Sequence, residues 1–193
     1  MPRSTMADLI SLVRTETNAA VGDFSDDLVQ GFLDRHREDV WLMWLIPQIT
    51  YVSSTVLYKD YTSDLDAWEA DATIIDSTGA ALTAGASDSF DYLRGRFSFN
   101  TGRTDHLRLS GKTFDFHLAA AELFESWAAK VALDFDFQTD QQQFNRSQKR
   151  EALLDLAKAQ RRMARVGSGR LMRTDEKRHH HPAYPPSVYA RRT

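Results

Sequence analysis

The stretch that most narrows the possible folds is TFDFHLAAAELFESWAAKVALD, residues 113–134. Phe116, Ala120, Leu123, Phe124, Trp127 and Val131 recur there at helical spacing and make one broad apolar stripe. The alanines at 119–121 and 128–129 are small enough to let another helix approach closely. Such a helix has to be covered, so the rest of the chain must supply partners for it.

Three further helices are legible. Met6, Leu9, Ile10 and Val13 fall at helical spacing and predict a helix over 5–19, ended by Gly22. Ser25 is placed as an N-cap, with Asp26 and Asp27 in the first turn, where the helix dipole favours negative charge. Phe24 and Val29 occupy the two positions of a hydrophobic staple. This second helix should bury Leu28, Phe32 and Leu33 and run on toward Trp41 and Trp44 until Pro47 stops it. A last helix is expected over roughly 147–165, capped by Ser147 and burying Leu153, Leu154 and Ala157.

Between about 49 and 110 the texture becomes β-branched and aromatic. ATIIDSTGAALTA reads as a hairpin around a Ser-Thr-Gly turn, Phe97 and Phe99 alternate, Gly95 suits a bulge, and Leu107 and Leu109 alternate. Four or five short strands are expected. The fold predicted is therefore α+β, mainly α. A four-helix bundle over 1–165 carries a small β insertion between helices 2 and 3, and an extended arm occupies 166–193. Pro182, Pro185 and Pro186 exclude a helix in that arm and favour polyproline-like backbone.

Composition removes several functions. There is no cysteine, which excludes a disulfide scaffold, a cysteine nucleophile and a cysteine zinc site. No secretory signal is visible at the start, and the longest apolar run, VWLMWLI at 40–46, is far short of the ~20 residues that cross a bilayer. A soluble protein without membrane contact is expected. Charge is unevenly placed. Residues 165–193 hold seven basic and two acidic side chains, a net +5, whereas residues 1–164 hold 17 basic and 25 acidic, a net −8. A basic tail on an acidic body points to an acidic partner or nucleic acid, or is simply solvated.

Possible chemistry is sparse. Gly111-Lys112-Thr113 mimics the end of a phosphate-binding loop, but the glycine required five residues earlier is His106. A turn glycine before a helix is the stronger reading. The triple His179-His180-His181 can turn at most two side chains one way in an extended chain, and the tail offers no further ligands. Asp60, Asp64, Asp66, Glu69 and Asp71 lack the ligand order and central glycine of a calcium loop and read as a charged loop. His36, His106 and His117 are scattered, and Asp115 and His117, two apart, face different ways on a helix. The aromatics of the β insertion suit core or interface packing better than base stacking, since the insertion is not basic. No catalytic constellation, metal or cofactor site is expected.

Several phrases resemble the head–tail connector (adaptor) proteins of tailed bacteriophages. They are MADLISLVRTETNA, DDLVQGFLDRHREDVW, LRLSGKTFDFHLAAAELFESWAAKVAL and FNRSQKREALLDLAKAQRRMA, spread over residues 6–165. The features shared are Gly111 leading into the helix of Ala119 to Ala121, the Glu125 to Ala128 phrase, and Phe144 to Lys149 opening the last helix. The resemblance implies a non-enzymatic virion protein, assembled in the host cytoplasm into a homo-oligomeric, dodecameric ring in the neck. The ring would sit beneath the portal protein, extend the DNA channel with only transient contact to packaged DNA, and dock a downstream stopper or tail protein. It further implies a C-terminal arm that grips the portal. Arg165, Arg170, Arg173, Lys177, Arg178, Tyr184, Tyr189, Arg191 and Arg192 are its candidate anchors. The alternatives are a nucleic-acid-binding protein using the basic tail, a stopper or tail-terminator ring protein, and a small hydrolase built on SGKT.

Overall fold

A computed structural model describes residues 1–52, 55–132, 137–139, 142–144 and 146–165. The arm at 166–193, with its candidate anchors beyond Arg165 and the triple histidine, lies outside the described residues.

The helices begin where capping chemistry puts them. α1 spans Ala7–Thr17 and buries Leu9, Ile10 and Val13. α2 spans Asp26–Arg35, and the Ser25 hydroxyl accepts from the Leu28 N–H. Both members of the staple, Phe24 and Val29, are buried. α3 spans Phe116–Ala132 and α4 Arg146–Met163.

The second helix ends nine residues before Trp44, which corrects the expectation that it runs on toward Pro47. His36 leaves helical geometry, and its N–H closes a last tight turn on the Leu33 carbonyl at 2.9 Å. The chain then extends as β1, Arg37–Trp44. Val40, Trp41 and Trp44 sit at spacings compatible with a helix, but pairing with a distant strand outweighs that local preference.

That partner is β8, Arg108–Phe114, which pairs antiparallel with β1 from Arg37↔Phe114 to Trp44↔Arg108. Between them lie β2 (Ile46–Val52), β3 (Thr55–Thr62), β4 (Thr73–Ile75), β5 (Ala81–Leu82), β6 (Ser89–Asp91) and β7 (Arg96–Arg103). They form two four-stranded antiparallel sheets, ordered β1-β8-β4-β5 and β2-β3-β7-β6. A separate hairpin, β9 (Phe137–Thr139) with β10 (Gln142–Phe144), lies in the connector before α4. The β unit thus fills 37–114 with eight strands, more than the four or five expected over 49–110. The hairpin around Asp76 to Ala80 forms as its turn residues dictate: the Asp76 carboxylate accepts from the Thr78 and Ala80 N–H groups, both at 2.9 Å, and Gly79 takes φ 92°.

A four-helix bundle does not form, and the fold is α+β with two sheets. A bundle needs one core shared by four helices. Here α3 carries two. Ala119, Leu123 and the flanking Phe116 and Trp127 pack with α1 and α2. A different face of α3, with Ala121, Phe124, Ala128 and Val131, packs against Leu153 and Ala157 of α4. The result is a slab with α3 in its middle. A third core, inside the β unit, gathers Leu45, Tyr61, Trp68, Ile74, Phe97, Phe99, Leu107 and Leu109.

Two glycines are fixed by this packing. Gly111 lies within β8, and a Cβ there would stand 2.6 Å from the Cβ of Ala72. Gly95 turns the chain between β6 and β7 at φ 60° rather than forming a bulge. The β unit leaves and rejoins the slab at one place: the Asp115 N–H donates to the His36 carbonyl at 3.0 Å.

Candidate functional site

Five of the ten exposed large apolar side chains among the described residues gather where β1 runs into β2. These two strands are the edges of their respective sheets. Leu45, between them, is 2% exposed and anchored by its N–H on the Leu107 carbonyl. On either side the pattern inverts: Trp41 is 81% exposed, Trp44 52%, Ile46 50% and Ile49 58%. Leu42 is also exposed.

A bulge creates this inversion. Pairing jumps from Val40↔Gly111 to Met43↔Leu109, so that Trp41 and Leu42 together oppose Ser110. Leu42 takes φ 54°, an uncommon and costly conformation for a branched residue, and its N–H is satisfied by the Ser110 hydroxyl at 2.9 Å. The bulge turns Trp41 outward beside a shallow groove of about 240 Å³ lined by Asp39, Val40, Asp71, Thr73, Gly111 and Lys112. Trp44 is held from behind, with the Arg108 guanidinium 5.3 Å from its ring and His106 meeting it edge-on. Taking an apolar side chain from full exposure to burial contributes about 1.5–3 kcal/mol, so covering the half-exposed Trp44 and Ile46 would contribute about half of that each. The spacing of Trp41 and Trp44 matches a helix face. The missing polar residues in VWLMWLI were the available signal, since a run that is apolar throughout is not amphipathic.

The residues with chemically active side chains are engaged elsewhere. Lys112 and Thr113 lie within β8, not in a loop before a helix. The Lys112 ammonium reaches Glu69 at 3.3 Å and Asp71 at 3.4 Å, and the hydrogen bond to Glu69 raises its pKa. Glu69 is fully buried, contrary to its reading as part of a charged loop. It also accepts from the Thr5 hydroxyl at 2.6 Å and forms an ion pair with the Arg3 guanidinium at 3.0 Å, and so ties the N-terminal segment to the sheets. His36 Nε2 is 2.9 Å from Glu122, and His117 Nδ1 is 2.7 Å from Gln160. Tyr61 donates to the Asp105 carbonyl at 2.9 Å, and burial pushes its pKa up to about 12. Among the described residues no three His, Asp or Glu side chains are grouped to hold a metal, and no helix is long and apolar enough to cross a membrane.

Arg165, the first of the candidate arm anchors, is spent inside the chain. Its backbone N–H donates to the Asp115 carboxylate at 2.8 Å, and its guanidinium binds the Thr113 hydroxyl at 2.8 Å and both the carbonyl and carboxylate of Asp66. It clamps the end of α4 to the junction of β8 and α3. The segment beyond it starts from a fixed point.

No family model, curated protein or solved structure matches this chain.

Proposed function

We propose that the protein is a structural subunit of a virion neck, a head–tail connector whose copies form a ring beneath the portal. The observation that carries this reading is the ridge of Trp41, Trp44, Ile46 and Ile49. Exposed apolar side chains on two sheet-edge strands are suited to protein docking and are a liability for a chain that stays alone. The chain's resemblance to connector proteins supports the same reading. In it the ridge docks the neighbouring neck component, and the basic, proline-containing segment 166–193 reaches the portal, anchored by Arg170, Arg173, Lys177, Arg178, Tyr184, Tyr189, Arg191 and Arg192. The acidic body, net −8 over residues 1–164, suits a channel wall that lets DNA slide, since each cation set against phosphate would add grip.

The test is a double substitution, Trp41→Asp with Ile49→Asp, at side chains whose exposure leaves the fold free to form. The variant should keep the wild-type circular dichroism and melting temperature while particles accumulate as heads without tails. A variant that folds and joins particles as the wild type does would overturn the reading. Deleting 170–193 separates the two contacts: that protein should fail to stay on the portal while its ridge is intact.

A further inference from the structure

The slab has two outer faces that complement each other. Residues 1–35, which include α1 and α2, carry six acidic and three basic side chains, a net −3, with Asp27 and Asp34 paired to the N-terminal ammonium and Arg3, and α4 carries six basic and two acidic, a net +4. α1 and α2 cover one face of α3 and α4 covers another, so the opposite charges do not meet within one chain.

Each outer face also holds apolar features that the described residues leave uncovered. On α4, Ala152, Leu156, Ala159 and Met163 are all exposed at spacings of four, three and four residues, a second stripe beside the one packed on α3. Small and large side chains alternate along it, the pattern that seats one helix against another. On α2, Gly31 sits in the middle of the helix beside the exposed Asp27 and Leu28, and a Cβ at Gly31 would meet nothing within 4 Å. A glycine in a helix interior is unfavourable relative to alanine, and neither a turn nor close packing within the chain requires it here. It does leave a notch in which a helix from outside can approach the backbone.

We propose that copies associate head to tail, the exposed stripe of α4 on one copy lying across the Gly31 notch of α2 on the next. Unlike faces meeting in this way generate a closed ring when the rotation between copies closes. This inference rests on the ring reading above and assigns its subunit contact to the slab, leaving the ridge free for a different neighbour.

The chain has no cysteine, so introduced pairs can be read without background. Gly31→Cys protein is mixed under mild oxidation with protein carrying a single cysteine at Ala152, Leu156, Ala159 or Met163 in turn. At least one mixture should give a covalent heterodimer joining 31 to α4, while neither single variant alone gives one. The association should weaken by roughly ten-fold or more when salt rises from low to high, as contacts between opposite charges do. Gly31→Ala gives an independent readout: the isolated chain should melt roughly 2–4 °C higher while assembly is impaired. An oligomer that forms but yields no such heterodimer, or single variants that cross-link to themselves, would overturn this contact and leave the ring reading standing. A wild-type chain that remains monomeric both at about 1 mM in low salt and when mixed with isolated portal would overturn both.

Discussion

The helical slab and the β unit fill their interiors differently. In the slab, Ala119, Ala120, Ala121 and Ala128 are buried against neighbouring helices, and the aliphatic side chains of Leu9, Val13, Leu33 and Leu123 fill what remains. In the β unit, rings meet edge-on: Phe90 lies 5.7 Å from Phe97 and 5.2 Å from Phe99, and Tyr61 lies 5.7 Å from Phe99. Close alanine contacts draw helices together, so added bulk is what the slab tolerates least. Sheets stand about 10 Å apart, so bulk is what the β unit needs and its loss is what it feels. Where the two meet, Ala67, Leu93 and Phe114 of the β unit join the apolar core of α1, α2 and α3, and the charged group around Glu69 adds a second tie.

The largest effect should come from removing bulk on the sheet side. Trp68→Ala empties a fully buried position and leaves the Leu65 carbonyl, 2.8 Å from the indole N–H, without its donor. It should cost about 3–5 kcal/mol in urea unfolding. At the seam, Glu69→Ala strands the Arg3 and Lys112 cations, softened by Asp34 and Asp71, which pair with them as well. A loss of about 3 kcal/mol is expected, with freer amide exchange at Ala70, whose N–H is held by the Thr5 carbonyl. Within the slab, Ala121→Leu adds volume between α3 and α4 and should cost about 2 kcal/mol. Equal penalties for Ala121→Leu and for the same enlargement at an exposed slab position would break the contrast.

The smallest effect tests a single turn. Hydrogen bonds from the Thr78 hydroxyl and then the Ala80 and Thr78 N–H groups hold the Asp76 carboxyl below its usual pKa. Its folded value lies below the unfolded one. Its contribution is therefore present above about pH 4 and fades as pH falls through the lowered value. Nuclear magnetic resonance should show Asp76 titrating below ordinary aspartates, with the β4–β5 turn loosening in acid while the global melting temperature barely moves. An ordinary titration would remove the turn's electrostatic support.

Local signals explain what the sequence made legible. Ser25, Phe24 and Val29 marked the start of α2 because capping and staple contacts are made within a few residues. The turn at Asp76–Ala80 was readable for the same reason. What could not be read depends on distant partners. Trp41 and Trp44 match a helical repeat, and only β8, more than 60 residues further along, draws them into a strand. Gly111 resembled a turn because its requirement for no side chain is set by Ala72 across the sheet. Glu69 carried no mark of burial, since the cations that make it tolerable lie at positions 3 and 112. Arg165 attracts attention as an arm anchor for its charge alone; Asp66 gives that charge an internal use, and Asp115 holds its backbone N–H.

The shared junction of the β unit has a mechanical consequence. β1 and β8 lie side by side from Trp44 and Arg108 down to Arg37 and Phe114, roughly 26 Å of paired strand. Their lower ends pass directly into α2 at His36 and α3 at Asp115. A pull applied at Trp41 travels lengthwise down this pair and loads its hydrogen bonds in shear, all together, instead of unzipping them one by one. Tension or torque at the tip of the sheets is thus delivered to two helices at once, as through a stiff lever, with no slack linker to absorb it.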